Sequence, residues 1–114
     1  MRSIKGHKMS TLTNLYIANL LPHGSGFNGD WEVKLTKDRV TCYNTYDHMD
    51  ENGFYDAYLP FSVTFKPNGY IGIRFLGLTN QGRYFVEMDG LRQYFEDVFA
   101  ECYEAIEKEM EWFE

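Results

Sequence analysis

The chain contains only two cysteines and three prolines among its 114 residues, and it has no long apolar run. A membrane-spanning helix needs about 20 consecutive apolar residues, so the sequence predicts none. The N-terminus has no charged segment followed by an apolar one, and we therefore expect a cytoplasmic protein. Cys42 and Cys102 form no paired metal-ligand motif, which favours reduced, partly buried thiols; a long-range disulfide or a reactive thiol are the alternatives.

Basic residues are also scarce. Eleven Lys and Arg face 17 Asp and Glu, which gives a formal net charge of −6. Binding to nucleic acid in general or to an anionic membrane requires a basic surface. The charge of this small acidic protein therefore predicts no direct nucleic-acid binding and no membrane binding, and no motif calls for a cofactor. A protein partner is expected instead, because acidic and aromatic residues suited to a contact surface are abundant. The imbalance is local, since residues 1–8 are basic and the last 26 residues are strongly acidic.

Hydrophobic residues make up 44% of the chain and aromatic residues 18%, enough for a folded core. Residues 1–9 have no pattern and are predicted to form a flexible arm before a single domain at 10–114. Apolar residues between 10 and 21 follow helical spacing, and Pro22 and Gly24 would end that short helix; a strand over 15–21 is the competing interpretation.

Four later segments alternate apolar and polar residues with the period of two that is typical of strands. They are expected at 31–35, 39–46, 58–65 and 70–76, with a further short strand possible at 84–86. Pro60 suggests an edge or an entry bend, and Pro67-Asn68-Gly69 is the clearest turn. Sequential hairpins of this kind predict an antiparallel meander.

The helix expected from Asp89 to about Trp112 has the strongest pattern in the chain. Asp89 is a suitable N-cap. One face is apolar and the opposite face is acidic, which is typical of a helix packed on a sheet. The apolar face comprises Leu91, Tyr94, Phe95, Val98, Phe99, Cys102, Ile106 and Met110. The predicted fold is therefore α+β, with the long C-terminal helix across one face of a sheet of about four strands.

Gly24-Ser25-Gly26-Phe27-Asn28-Gly29 matches the pattern G-x-G-x-x-G, which in dinucleotide-binding proteins precedes a helix that holds a phosphate. Here the segment leads into strand-like, acidic sequence, so we interpret its glycines as turn residues that deliver Trp31 to the sheet.

The acidic stretch 47–56 offers Asp47, His48, Asp50 and Asp56 as metal ligands. Its spacing does not match a calcium-binding loop, and Asn52-Gly53 favours a two-residue hairpin turn or an Asx turn. A structural turn or a partner-contact loop is the preferred interpretation, and a metal site is the alternative.

No arrangement of residues indicates catalysis strongly enough for a catalytic residue to be named. A dyad of Cys42 and His48, or a pair of acids such as Asp30 and Asp50, would need a spatial proximity that sequence spacing does not establish. We therefore expect binding rather than catalysis. The candidate partner-contacting residues are Asp30, Trp31, His48, Asp50, Tyr55, Asp56, Tyr58, Glu101, Glu104 and Glu111.

Two segments, Gly24-Ser25-Gly26-x-x-x-Asp30-Trp31 and Met49-Asp50-Glu51-Asn52-Gly53-x-Tyr55-Asp56, resemble short proteins of unassigned chemistry encoded by bacteriophages and prophages. The resemblance covers residues 24 to 58 and implies a protein that binds and blocks a host protein, for instance a defence nuclease. The expected function is thus a non-enzymatic protein-binding module, with an inhibitor of a host nucleic-acid-acting or defence complex as its specific form. The alternatives are a small metal-dependent enzyme or metal-binding module at 47–56, and a homodimer closed by Met110, Trp112 and Phe113.

Overall fold

The structure is a computed structural model and describes residues 14–49, 55–77 and 88–110. Four antiparallel strands form one sheet in the order β1-β2-β3-β4, and two helices accompany it. The predicted α+β meander is therefore confirmed. The elements are α1 (residues 14–20), β1 (Glu32–Thr36), β2 (Arg39–Met49), β3 (Tyr55–Lys66), β4 (Tyr70–Phe75) and α2 (Met88–Met110).

One face of the sheet is apolar because alternate residues of all four strands point the same way. Val33 pairs with Cys42, Cys42 with Val63, and Val63 with Ile73, so a single row of side chains crosses the whole sheet. Cys42 and Val63 are fully buried in this row. The strand faces expected from the period of two are confirmed.

Helix α2 covers this apolar face. Phe95 and Phe99 are fully buried, and the ring of Phe61 from β3 lies 4.7 Å from the ring of Phe95. Leu91 and Ile106 extend the buried stripe along the helix, as its periodicity predicts. The helix begins at Met88, so Asp89 lies within the first turn and does not precede it as an N-cap.

The glycine segment is part of this core. Gly24, Gly26 and Gly29 have φ values of +80°, +103° and +62°, which glycine adopts without steric cost. Their turn places the buried ring of Phe27 against the rings of Trp31, Tyr46, Phe61, Phe95 and Phe99. Backbone hydrogen bonds from Asn28 to Thr45 and from Asp47 to Gly26 fix it to β2. The turn interpretation of these glycines is therefore confirmed.

Strands β2 and β3 continue beyond their neighbours as a two-stranded ribbon, because β1 pairs no further than Tyr43 and β4 no further than Phe61. The ribbon explains how β3 accommodates Pro60, which has no backbone N–H to donate. The backbone of Pro60 faces the side of β3 on which β4 has ended, and its carbonyl accepts the N–H of Leu76 at 2.8 Å. Pro60 lies in an inner strand of the sheet, but at a place where that strand is locally an edge.

Each outer strand has one carbonyl covered by a helix side chain. Asn14 of α1 donates to the carbonyl of Val33 at 3.3 Å, and Arg92 of α2 donates to the carbonyl of Ile73 at 2.6 Å. Unpaired edges invite pairing with another strand. These two hydrogen bonds partly protect the edge strands from such pairing.

Candidate functional site: the open face of the sheet

The second face of the sheet is covered by no described element. We call it the open face; it consists of alternate residues starting with Glu32 in β1, Arg39 in β2, Tyr58 in β3 and Tyr70 in β4. The same period of two that buries the apolar residues places these polar residues together. The open face is thus built by the sequence pattern that builds the core.

Positive charge predominates on the open face. Among the side chains that the structure describes, it presents four cations, Lys34, Arg39, Lys66 and Arg74, against two carboxylates, Glu32 and Asp47. Three of the cations, Arg39, Lys66 and Arg74, line a shallow basin of about 320 Å³. A protein with a net charge of −6 therefore has a locally basic surface.

Two tyrosine rings lie beside these cations. The ring of Tyr70 lies across Gly72, where an added Cβ would come within 2.6 Å of the Tyr70 hydroxyl. Lys66 Nζ is 4.7 Å from the centre of that ring, and Lys34 Nζ is 5.2 Å from the centre of the Tyr43 ring. Tyr70 remains half exposed. The basin therefore offers accessible aromatic surface next to positive charge.

Hydroxyl groups form the floor between the cations. Thr41 and Thr64 face each other across β2 and β3 with their hydroxyl oxygens 3.3 Å apart. Ser62 lies in the next row and is buried. Gly72 stands at the β4 end of the row of Thr41 and Thr64, and because it has no side chain the Tyr70 ring can lie over it. The floor can both donate and accept hydrogen bonds.

One cation of the basin is held by a carboxylate. Asp38 accepts hydrogen bonds from Arg39 Nε at 3.2 Å and Nη2 at 3.3 Å. The Arg39 guanidinium lowers the pKa of Asp38, and the carboxylate raises the pKa of Arg39. Exposed ion pairs of this kind contribute little to stability, so a ligand anion can compete with Asp38 for Arg39.

The opposite side of the molecule carries a second charged surface, which we call the acidic ridge: Glu96, Asp97, Glu101, Glu104 and Glu107 of α2. The first four are exposed, as the helical pattern predicts for Asp97, Glu101 and Glu104. None of the five pairs with a cation of the described chain within 4.0 Å. Charge is thus segregated by layer, with the basic sheet face on one side and the acidic helix face on the other.

The candidate partner-contacting residues whose side chains the structure describes lie in different places. Trp31 is 6% exposed, and its indole N–H donates to the carbonyl of Pro22 at 3.0 Å. It is therefore a core residue in this structure and not the exposed contact residue that the sequence predicts. Asp30 is exposed beside it, and Tyr58 lies on the open face. Glu101 and Glu104 lie on the acidic ridge.

Other candidates fall wholly or partly outside the described residues. Asp50 and Glu111 are among them, as are the possible strand at 84–86, the turn at Asn52-Gly53 and the dimer residues Trp112 and Phe113. Tyr55 and Asp56 belong to β3, but their side chains are not described. Met110 packs against the core of its own chain. The homodimer stays a prediction.

The candidate metal ligands diverge where the structure describes them. Asp47 pairs with Tyr58 on the open face, whereas His48 lies on the other face, 6.5 Å from the ring of Tyr46. Adjacent residues of a strand point in opposite directions. Within residues 14–49, 55–77 and 88–110 no three His, Cys, Asp or Glu side chains are grouped as metal ligands would be.

The two thiols face the interior. Burial raises the pKa of Cys42 far above its ordinary value and raises the pKa of Cys102 to about 11. Both are free cysteines. A thiol is a nucleophile only as its thiolate. These groups therefore stay protonated and unreactive at neutral pH.

No protein-family model, curated protein or solved structure matches the chain. None of the described helices is both long and apolar enough to cross a bilayer. Function must therefore be argued from the two charged surfaces.

The basin residues are absent from the sequence-based candidates. The alternation of Arg39, Thr41 and Tyr43 with apolar residues predicts only the solvent-exposed face of one strand. Strand order and register are needed to bring Lys66 and Arg74 beside Arg39. The available clue was that the polar positions of these strands are rich in cations and hydroxyls, in contrast to the acidic chain as a whole.

Proposed function

We propose that the protein is a non-enzymatic protein-binding module that presents the acidic ridge to a basic groove on its partner. The partner is a host nucleic-acid-acting or defence complex, and the protein acts as an inhibitor of the kind that small phage proteins provide. The observation that carries the proposal is the ridge itself, a row of carboxylates on the solvent side of α2 that form no ion pair with the described cations.

The spacing of the ridge supports this role. Glu96 and Glu107 are eleven residues apart, which corresponds to about 17 Å of helix. Five carboxylates over that length give about one negative charge per 4 Å, close to the roughly 3.4 Å between phosphates along one strand of duplex DNA. A groove that binds a phosphate backbone would meet a similar row of charges on this helix.

The ridge is also held in place. Phe95 and Phe99, on the opposite side of the same helix, are fully buried against the sheet. A charged surface that is already ordered loses less entropy on binding than a flexible acidic tail. The core therefore supports the ridge as a preorganised binding surface.

The chemistry of the described residues favours binding over catalysis. The buried thiols keep their protons, and Asp47 and His48 lie on opposite faces of the sheet. General acid-base or nucleophilic catalysis requires groups that converge on one point.

The test is a pull-down from bacterial lysate with the immobilised protein and with the double variant Glu101→Lys/Glu104→Lys. Reversal of two ridge charges is expected to release the specific partner, and that partner is expected to be a nucleic-acid-acting protein that heparin elutes. The matched control, Glu32→Lys/Asp38→Lys, makes the same change in net charge away from the ridge and is expected to retain the partner. Retention of every partner by the ridge variant would exclude the proposal.

A further inference from the structure

The open face carries an inference that goes beyond the proposed function and uses the opposite side of the molecule. Net charge alone argues against binding to nucleic acid. The net charge, however, adds the charges of the open face and the acidic ridge, which the fold places on opposite sides of the molecule. A ligand bound to one of these surfaces interacts mainly with the charges of that surface.

The first observation is the arrangement of cations around the basin. Arg39 and Lys66 lie at one end, and Arg74 lies two rows of side chains further along the strands. Arg74 has no hydrogen-bond or ion-pair partner among the described residues, and Lys66 makes only the ring contact with Tyr70 through its side chain. Positive groups at both ends of a shallow surface suit a chain of anions better than a single anion.

The second observation is the pair of rings. Tyr70 lies across Gly72 and is half exposed, and Tyr43 lines the same basin. Each ring now carries a lysine ammonium group, Lys66 on Tyr70 and Lys34 on Tyr43, and Lys34 also lies 4.0 Å from Glu32 Oε2. Exposed cation–π contacts are weak. A base can therefore take the place of the ammonium on the ring while the lysine moves to a phosphate.

The third observation concerns the floor. The hydroxyls of Thr41 and Thr64 lie between the two ends of the basin, 3.3 Å apart, where the ribose of a bound strand would pass. A ribose 2′-hydroxyl is both a donor and an acceptor, and it is the group that distinguishes RNA from DNA. Acidic polypeptide would use the cations but neither the rings nor this hydroxyl row.

We propose that the open face binds single-stranded RNA, with Arg39, Lys66 and Arg74 contacting phosphates, Tyr43 and Tyr70 stacking on bases, and Thr41 and Thr64 contacting ribose. There is a known class of RNA-binding domain in which aromatic side chains on a four-stranded sheet stack on two or three unpaired bases, so this mode of contact is physically feasible. Duplex nucleic acid offers no free base faces to the rings and is not the ligand.

The experiment measures fluorescence anisotropy of a labelled uridine oligomer of about 12 nucleotides, a length within the range covered by single-strand-binding surfaces. The full chain is expected to bind with a log–log salt slope of about −2, because three phosphate contacts contribute about −0.7 each on a single strand. Absence of binding by the folded wild-type chain would overturn the proposal.

Two variants separate phosphate contact from stacking. Arg74→Ala is expected to reduce the salt slope by about 0.7. Tyr70→Ala is expected to weaken binding about tenfold with little change in slope, whereas Tyr70→Phe keeps the affinity because it keeps the ring. The matched controls are Lys108→Ala, which removes a cation from α2, and Tyr16→Ala, which removes an exposed ring from α1. Equal losses in the variants and their controls would overturn the proposal.

Competition identifies the ligand class. Unlabelled uridine oligomer is expected to displace the label better than thymidine oligomer of the same length, and Thr41→Val/Thr64→Val is expected to abolish that difference. Displacement by polyglutamate at the same charge concentration would show a surface that binds anions in general and would overturn the RNA assignment, as would equal displacement by the DNA oligomer. The ridge variant Glu101→Lys/Glu104→Lys leaves these residues intact, so failure of one proposal is distinguishable from failure of the other.

Discussion

Replacement of Phe27 by alanine tests whether the glycine segment is part of the core or merely a connection. The ring is 6% exposed and its centre lies 5.0 Å from that of Tyr46 and 5.5 Å from that of Phe95. Truncation of a buried phenylalanine costs about 3–5 kcal/mol. We expect the free energy of unfolding to fall by about 4 kcal/mol, a large part of the total for a domain of this size.

The measurement is urea denaturation followed by tryptophan fluorescence, since Trp31 lies 5.8 Å from Phe27. The thermal midpoint should fall by about 15 °C, given about 4 °C per kcal/mol for a chain of this length. Leu15→Ala is the control: Leu15 is 60% exposed, so its truncation should change stability by no more than about 0.5 kcal/mol. A loss below about 1 kcal/mol for Phe27→Ala would refute the placement of this ring at the centre of the aromatic cluster.

Three further predictions concern the same framework. Gly26→Ala should destabilise the protein more than Gly24→Ala in urea titrations, because both positions have positive φ but only at Gly26 would a Cβ meet Tyr46, at 2.6 Å. Tyr103→Phe should cost about 1–2 kcal/mol of unfolding free energy, since its hydroxyl donates to the Lys66 carbonyl and accepts the Gly69 N–H. Burial raises the pKa of Cys102 from 9.0 to about 11, so the contribution of the protonated thiol to stability is complete below pH 9 and is lost as the pH rises toward 11. The urea midpoint of unfolding should therefore fall less between pH 9 and pH 11 in Cys102→Ala than in the wild-type protein.

The strand faces were predictable because burial imposes a local pattern. Phe61, Val63 and Phe65 alternate with polar residues, and that alternation follows directly from a sheet with one buried face. The helix stripe of Leu91, Phe95 and Phe99 follows from the helical period in the same way. Both patterns are properties of a single segment and need no knowledge of its neighbours.

The role of Phe27 and the length of the ribbon could not be predicted in this way. Phe27 stands alone among glycines and has no periodic neighbours, so only the folded turn shows that it enters the core. The polar character of Asp47 and His48 predicts a turn, yet each residue has a cross-strand partner in β3. Tertiary pairing overrides local composition at such positions.

The basin on the open face could not be predicted from the sequence for a related reason. Lys66 and Arg74 belong to different strands, and their proximity to Arg39 depends on the register of three strands. A sum of charges over the sequence contains no information on which layer each charge occupies. The predicted absence of nucleic-acid binding rested on that sum alone.

Separation of the two charged surfaces has a consequence for how RNA binding would depend on salt. The acidic ridge lies on the far side of α2 from the sheet, and a helix with its side chains is about 10–12 Å across. This exceeds the Debye length of about 8 Å at 0.15 M salt but is well within the 30 Å reached at 0.01 M. At physiological ionic strength the ridge is therefore screened from a ligand on the open face, whereas at low salt it repels that ligand.

The gain in affinity for RNA on lowering the salt concentration should level off near 0.01 M in the wild-type protein and continue in Glu101→Lys/Glu104→Lys. A linear plot for the wild type down to that concentration would show that the ridge does not repel a ligand on the open face even at low salt, which would contradict this reasoning.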